Sequence, residues 1–159
     1  MSDEQLQKPA FDPRDVEARI GTNYPEGFKG AVEGREKRRL GDAAGLTRFG
    51  VNLVTIQPGG ASSHRHWHSH EDEFIYILEG EATLVTDIGD QVLGPGMAAG
   101  FPAGVADGHH LVNNSDAPVV YLEVGDRNPD DGAEYPDVDL RVRKVEGGYQ
   151  FTRKDGTPL

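Results

Sequence analysis

The six histidines of this 159-residue chain fall in two places, His64, His66, His68 and His70 at alternate positions and His109 beside His110 further along. In an extended segment alternate side chains share a face, so the first four imidazoles would project one way while Arg65, Trp67 and Ser69 project the other. Two imidazoles at i and i+2 can share one cation. Glu71, Asp72 or Glu73 can add a carboxylate from the same stretch, and a last imidazole, His109 or His110, can come from a distant strand. The chain has no cysteine, which removes thiolate zinc sites, iron–sulfur clusters, disulfides and cysteine nucleophiles; a metal here must be held by nitrogen and oxygen. A lone histidine is more often a surface or hydrogen-bonded core residue, and a row of them can form a pH-sensing strip. Four at alternate positions followed by three carboxylates favour a metal site over both.

The elements that must hold such a site read as short strands. The 21 Gly and 10 Pro do not form a low-complexity block; they punctuate, as at Pro58-Gly59-Gly60, Glu79-Gly80, Gly94-Pro95-Gly96 and Pro102-Ala103-Gly104. Between these turns lie runs rich in β-branched and aromatic residues, the strongest at 48–56, 74–78, 82–86 and 117–124. That spacing predicts one all-β domain, a sandwich or barrel of short antiparallel strands over residues 45–126. Residues 1–44 read as an N-terminal arm, in which Asp12 as cap, Pro13 at the first helical position and Gly21 past the end predict one short helix. Residues 127–159 read as an acidic loop and then a hairpin turning at Gly147-Gly148, packed on the barrel or on a partner chain.

A formal charge of −11 would repel nucleic acid, and the cluster Arg35, Lys37, Arg38 and Arg39 reads as a solvated surface. No apolar run approaches the roughly 20 residues that span a bilayer, and the opening MSDEQLQKPAFDP lacks the pattern of a signal peptide, so a cytoplasmic protein is expected.

Gly60, His66, His68, Glu73 and Gly80 stand as G-x5-H-x-H-x4-E-x6-G, and the chain here resembles the first motif of the cupin family at every defined position. Counting from His64 instead leaves no glycine at the closing position. The second motif, G-x5-P-x-G-x2-H-x3-N, is met by Gly96, Pro102 and Gly104, then finds Asp107 where histidine is expected and resumes as H-x3-N from His109 to Asn113. His109 shares strand parity with Leu111 and Asn113, whereas His110 goes with Val112, so His109 is preferred over His110, with Asp107 a lesser alternative.

The resemblance implies a double-stranded β-helix, or jelly-roll barrel, with one divalent transition metal (Fe, Mn, Ni, Cu or Zn) held by His66, His68, Glu73 and His109, and open coordination positions for a ligand. By parity Trp67, Arg65 and Tyr76 turn away from that metal, while Ile75 and Ile77 share the face of Glu73 and make the wall partly apolar. A dioxygenase-like enzyme on a chelated small organic molecule leads. An isomerase of a sugar or sugar phosphate comes second, ranked lower because only Arg65 offers a cation between residues 60 and 113. A non-catalytic metal-containing binding module is the third reading. His64 or His70 could supply a catalytic base. A small-molecule ligand and a homodimer are the expected partners, with no nucleic acid and no membrane.

Overall fold

A computed structural model describes residues 8–159, and the alternating runs form 13 strands. Asp12 does act as a cap, accepting the Arg14 N–H at 2.8 Å, but it starts only a single 3-10 turn over Pro13–Asp15. Arg38 donates to the Arg14 and Val16 carbonyls, and the chain leaves extended as β1 (Ala18–Ile20). The expected arm helix is therefore replaced by a strand. Carbonyls that a helix would satisfy internally are taken by a guanidinium, and β1 finds an antiparallel partner in β2 (Glu36–Arg39).

After α1 (Leu40–Ala43), the one α-helix among the described residues, come β3 (Phe49–Ile56), β4 (Trp67–His68), β5 (Glu73–Glu79), β6 (Ala82–Thr86) and β7 (Gly89–Leu93). They are followed by β8 (Ala98–Phe101), β9 (His110–Val112), β10 (Val119–Asp126), β11 (Gly132–Tyr135), β12 (Leu140–Val145) and β13 (Gly148–Thr152). One layer is a six-stranded antiparallel sheet in the order β1-β2-β3-β10-β5-β8. The other combines a four-stranded sheet, β13-β12-β11-β4, with a three-stranded one, β7-β6-β9, through an isolated bridge between His66 and His109. The result is an all-β jelly-roll barrel. No helix among the described residues is long and apolar enough to cross a membrane.

The arm adds β1 and β2 to the edge of the six-stranded sheet, and the C-terminal segment adds β11, β12 and β13 to the other layer. Its hairpin turns at Glu146-Gly147, one residue earlier than the glycine pair suggests, since Val145 pairs with Gly148. Two cores result. Val54, Ile56, Ile75, Ile77 and Tyr121 pack against Leu84, Leu93 and Leu111 in one, and Tyr24, Val32, Ala133, Tyr135, Leu140 and Val142 form the other.

The four-histidine strand does not form. Residues 62–65 bend, His66 makes only its bridge, and regular strand is confined to Trp67–His68, because the chain must cross from β3 into the opposite layer here.

Gly80, which closes the first motif, sits at a φ of +78° between β5 and β6, and a Cβ there would lie 2.3 Å from the Pro118 carbonyl oxygen. Gly80→Ala should cost about 2 kcal/mol or more, a fall in Tm of about 4–8 °C by calorimetry. An unchanged Tm would contradict this account of the turn.

Candidate metal centre

The His66–His109 bridge exchanges both backbone hydrogen bonds, at 3.1 and 2.9 Å, and so brings the two rings to a centroid separation of 4.9 Å where the sheets of the second layer meet. His68 follows two residues on with its ring 5.0 Å from that of His66. Glu73, the first residue of β5, faces them from the other layer, between Gly125 of β10 and Phe101 of β8. Its Oε1 is 3.1 Å from His109 Nε2, and its Oε2 is 3.3 Å from His68 Nε2 and 4.0 Å from His66 Nε2. One donor atom from each of His66, His68 and Glu73 lies within 4.8 Å of the others.

At His66 and His68 the remaining ring nitrogen is engaged elsewhere, whereas the buried Nδ1 of His109 has no partner among the described residues. His66 Nδ1 donates to the His64 carbonyl at 2.8 Å, and His68 Nδ1 donates to Asp131 Oδ2 at 2.8 Å. Those acceptors take the ring protons, so neutral His66 and His68 both turn an Nε2 lone pair toward the Glu73 carboxylate. Lone pairs facing an anion repel unless a cation lies between them. Without a metal a proton serves: burial opposes a charged His68, but Asp131 and Glu73 outweigh it and hold the imidazole up at about 10. Burial lowers His66 to about 4 and keeps it neutral, as a ligand must be. Burial also works against the charge of Glu73, yet hydrogen bonds from His109 and His68 hold its carboxyl well below the usual range. His109 is 4% exposed and stacks on Phe101 at 3.6 Å between centroids. A nitrogen and oxygen donor set with tautomers set from behind and an anionic member in front fits a divalent transition ion.

Of the other sequence candidates, Glu71, Asp72 and His110 line the same cavity as the cluster, and His64, His70 and Asp107 do not. His64 packs among Tyr24, Phe28 and Tyr135 and donates Nε2–H to the Phe28 carbonyl, and exposed His70 hydrogen-bonds Ser69; neither lines the cavity. His110 hydrogen-bonds the Ser63 carbonyl, while Asp107 accepts from the Asp87 amide and lines a second, small cavity of about 70 Å³ that it shares with Trp67, His68 and His109. Arg65 is spent on Asp137 and Asp87. Buried Asn113 donates to the Ile56 and Ala117 carbonyls and so holds a turn.

The cluster opens into a cavity of about 620 Å³. Register sets rows on its sheet wall: beyond Glu73, one row joins Ile75, Glu123, Asn52 and Arg39, and the next joins Ile77, Tyr121, Val54, Lys37 and Arg19. The cavity's cations lie outside residues 60–113: Arg19 on β1, Arg35 just before β2, Lys37 and Arg39 on β2, Arg127 after β10 and Lys144 on β12; the alternation of Arg35, Lys37 and Arg39 marks a strand, and its charge suggested a solvated face. Asp131 had no signal, being 63 residues from its partner His68.

A family profile described as the cupin domain matches residues 52–125. A solved protein from Silicibacter pomeroyi, described as a sugar phosphate isomerase from a cupin superfamily, is 48% identical, with 95% of this chain and 96% of that one covered at a TM-score of 0.92. This chain belongs to the cupin superfamily. A second solved protein, from Acidithiobacillus ferrooxidans and provisionally described as a sugar phosphate isomerase, is 30% identical over 91% of this chain and 88% of that one, with a TM-score of 0.76. The oxalate decarboxylase OxdC of Bacillus subtilis is 34% identical over 78 residues, which are 45% of this cupin and 19% of that longer enzyme.

Titration of Mn(II) or Zn(II) should give one bound ion per chain, and His66→Ala with His68→Ala should abolish it while His70→Ala leaves it intact. Asp131→Asn, which sets an amide donor against the His68 N–H, should weaken binding by about ten- to a hundredfold. Full metal content in the double variant by elemental analysis would reject this cluster.

Proposed function

We propose that this cupin is a metal-dependent isomerase of a small sugar or sugar phosphate, with one divalent transition ion held by His66, His68, Glu73 and His109. The observation that carries the reading is the convergence of outward-anchored imidazoles on a half-buried carboxylate, in a cavity that also contains a carboxylate free of the cluster, Glu123. The descriptions of the two solved relatives as sugar phosphate isomerases support it. When bound, the ion would polarise neighbouring carbonyl and hydroxyl oxygens of the substrate.

Proton movement falls to the chain itself. Glu123 Oε2 accepts from Lys37 Nζ at 2.9 Å and from Asn52 Nδ2 at 3.0 Å, leaving Oε1 for a substrate proton. Asp131 is engaged on both oxygens by His68 and the amides of His70 and Glu71; Glu71, held through Oε1 alone by Lys144 and the Asn128 amide, keeps one oxygen open as Glu123 does, and Glu123 is preferred for its place on β10 two residues from the Gly125 that pairs with Glu73. Glu123 takes the proton from the carbon beside the carbonyl and returns it to the former carbonyl carbon. The hydroxyl hydrogen passes between the two oxygens, so no oxidant is consumed.

Ile75, Leu84, Phe101 and Leu111 line the same cavity and favour a second reading, a dioxygenase-like enzyme on a less polar chelating molecule. Anaerobic reconstitution with Fe(II), Mn(II), Ni(II), Cu(II) and Zn(II), each screened against sugar phosphates, sugars, diketones and catechols, should give oxygen-independent interconversion of an aldose and a ketose. In that assay Glu123→Gln should lower kcat by about 10²-fold or more with metal content unchanged. Oxygen uptake with carbon–carbon cleavage would favour the dioxygenase, and saturable binding without product a binding module.

We infer also a homodimer. Phe74, Tyr76 and Leu78 alternate on the outer face of β5 at 45, 42 and 41% exposure, an apolar stripe suited to a second copy. Light scattering at micromolar concentration should give twice the chain mass, and a monomer would sink this assignment.

A further inference from the structure

Arg35 stands immediately before β2 and lines the cavity together with His66, His68 and Glu73. Lys37 and Arg39 continue its row, and each has a carboxylate: Lys37 pairs with Glu123 at 2.9 Å and Arg39 with Asp42 at 3.8 Å. Arg35 has none among the described residues. Its Nη1 donates to the Ser62 carbonyl at 2.6 Å and its Nη2 to the Gly21 carbonyl at 3.3 Å, which orients the guanidinium without cancelling its charge, and its Nε is buried without any partner. Tyr24, Tyr121 and Tyr135 line the same cavity, and burial pushes all three phenols up, leaving neutral hydroxyls that give no counter-charge. Arg19, opposite Lys37 in register, is also a cation of this wall without a carboxylate; its Nη2 meets the neutral Asn23 Oδ1 at 2.5 Å.

A half-buried guanidinium without a counter-charge is costly, and a bound anion offsets the cost. Arg35 and the exposed Arg19, two cations on one wall without a carboxylate among the described residues, match a group with two negative charges and several acceptor oxygens better than a single carboxylate. We propose that Arg35, with exposed Arg19 at the rim, is the receptor for the phosphate monoester of the substrate. This rests on the isomerase reading of the metal cluster, which would hold the reacting carbonyl end while Arg35 holds the charged end.

Inorganic phosphate is the probe, titrated calorimetrically into the metal-free protein so that coordination to the ion does not contribute. One equivalent should bind. Arg35→Gln should weaken it by about tenfold or more and Arg19→Gln less, whereas His66→Ala with His68→Ala should leave it near the wild-type value. If Arg35→Gln does not fold, Arg35→Lys, which keeps the charge and loses the fork, should still weaken binding several-fold, with circular dichroism and metal content confirming the fold. Wild-type affinity in the Arg35 variants, no phosphate binding by the wild-type protein, or loss only in the histidine double variant would each overturn the assignment. Phosphate bound through Arg35 in a protein that turns over no sugar phosphate would uphold this receptor and reject the isomerase, so the two fail separately.

Discussion

Glu73 carries a negative charge to the junction of two apolar cores, and a charge in that position has to be answered. Three imidazoles answer it, two of them with Nδ1 already committed, so their charge or their ligands are decided at Nε2. The backing is as consequential as the front. Asp131 takes the His68 N–H and also the amides of His70 and Glu71, so one carboxylate aims a side chain and pins the backbone that leads to Glu73. The layers of the barrel meet where these groups meet, and the His66–His109 bridge joins two sheets while presenting two donors.

What could be read from the chain in advance depended on strict local periodicity. Glycine spacing separated His66 and His68 from His64 and His70, and parity separated His109 from His110: His109, Leu111 and Asn113 are all buried while His110 and Val112 are less so. The same parity argument misjudged the stretch from His64 to His70, because it assumed a strand where the chain bends between layers. The helix expected after Asp12 had a valid cap but could not foresee Arg38, which reaches back from a later strand and takes the carbonyls. Local rules see the start of an element well and its competition with distant donors not at all.

The cations of the cavity illustrate the same limit. Arg35, Lys37 and Arg39 alternate as a strand should, but nothing in the charge pattern says which side of that strand faces solvent. Once β2 pairs with β3, Lys37 and Arg39 fall on the rows that also carry Tyr121 and Glu123, and a charge run read as surface becomes part of a wall. Residues outside the segment matched by the cupin profile thus furnish much of the cavity's polarity, while those inside it furnish the imidazoles and Glu73.

Arg35 also holds two chain segments at once, through the carbonyls of Gly21 in the arm and Ser62 ahead of the histidines. The ribbon is held along its length by the β1–β2 and β2–β3 ladders and by Arg38, and Arg35 adds a tie from its end to the segment that carries the histidines. A substitution at Arg35 therefore acts on two things together, the charge of the wall and the spacing between arm and metal cluster.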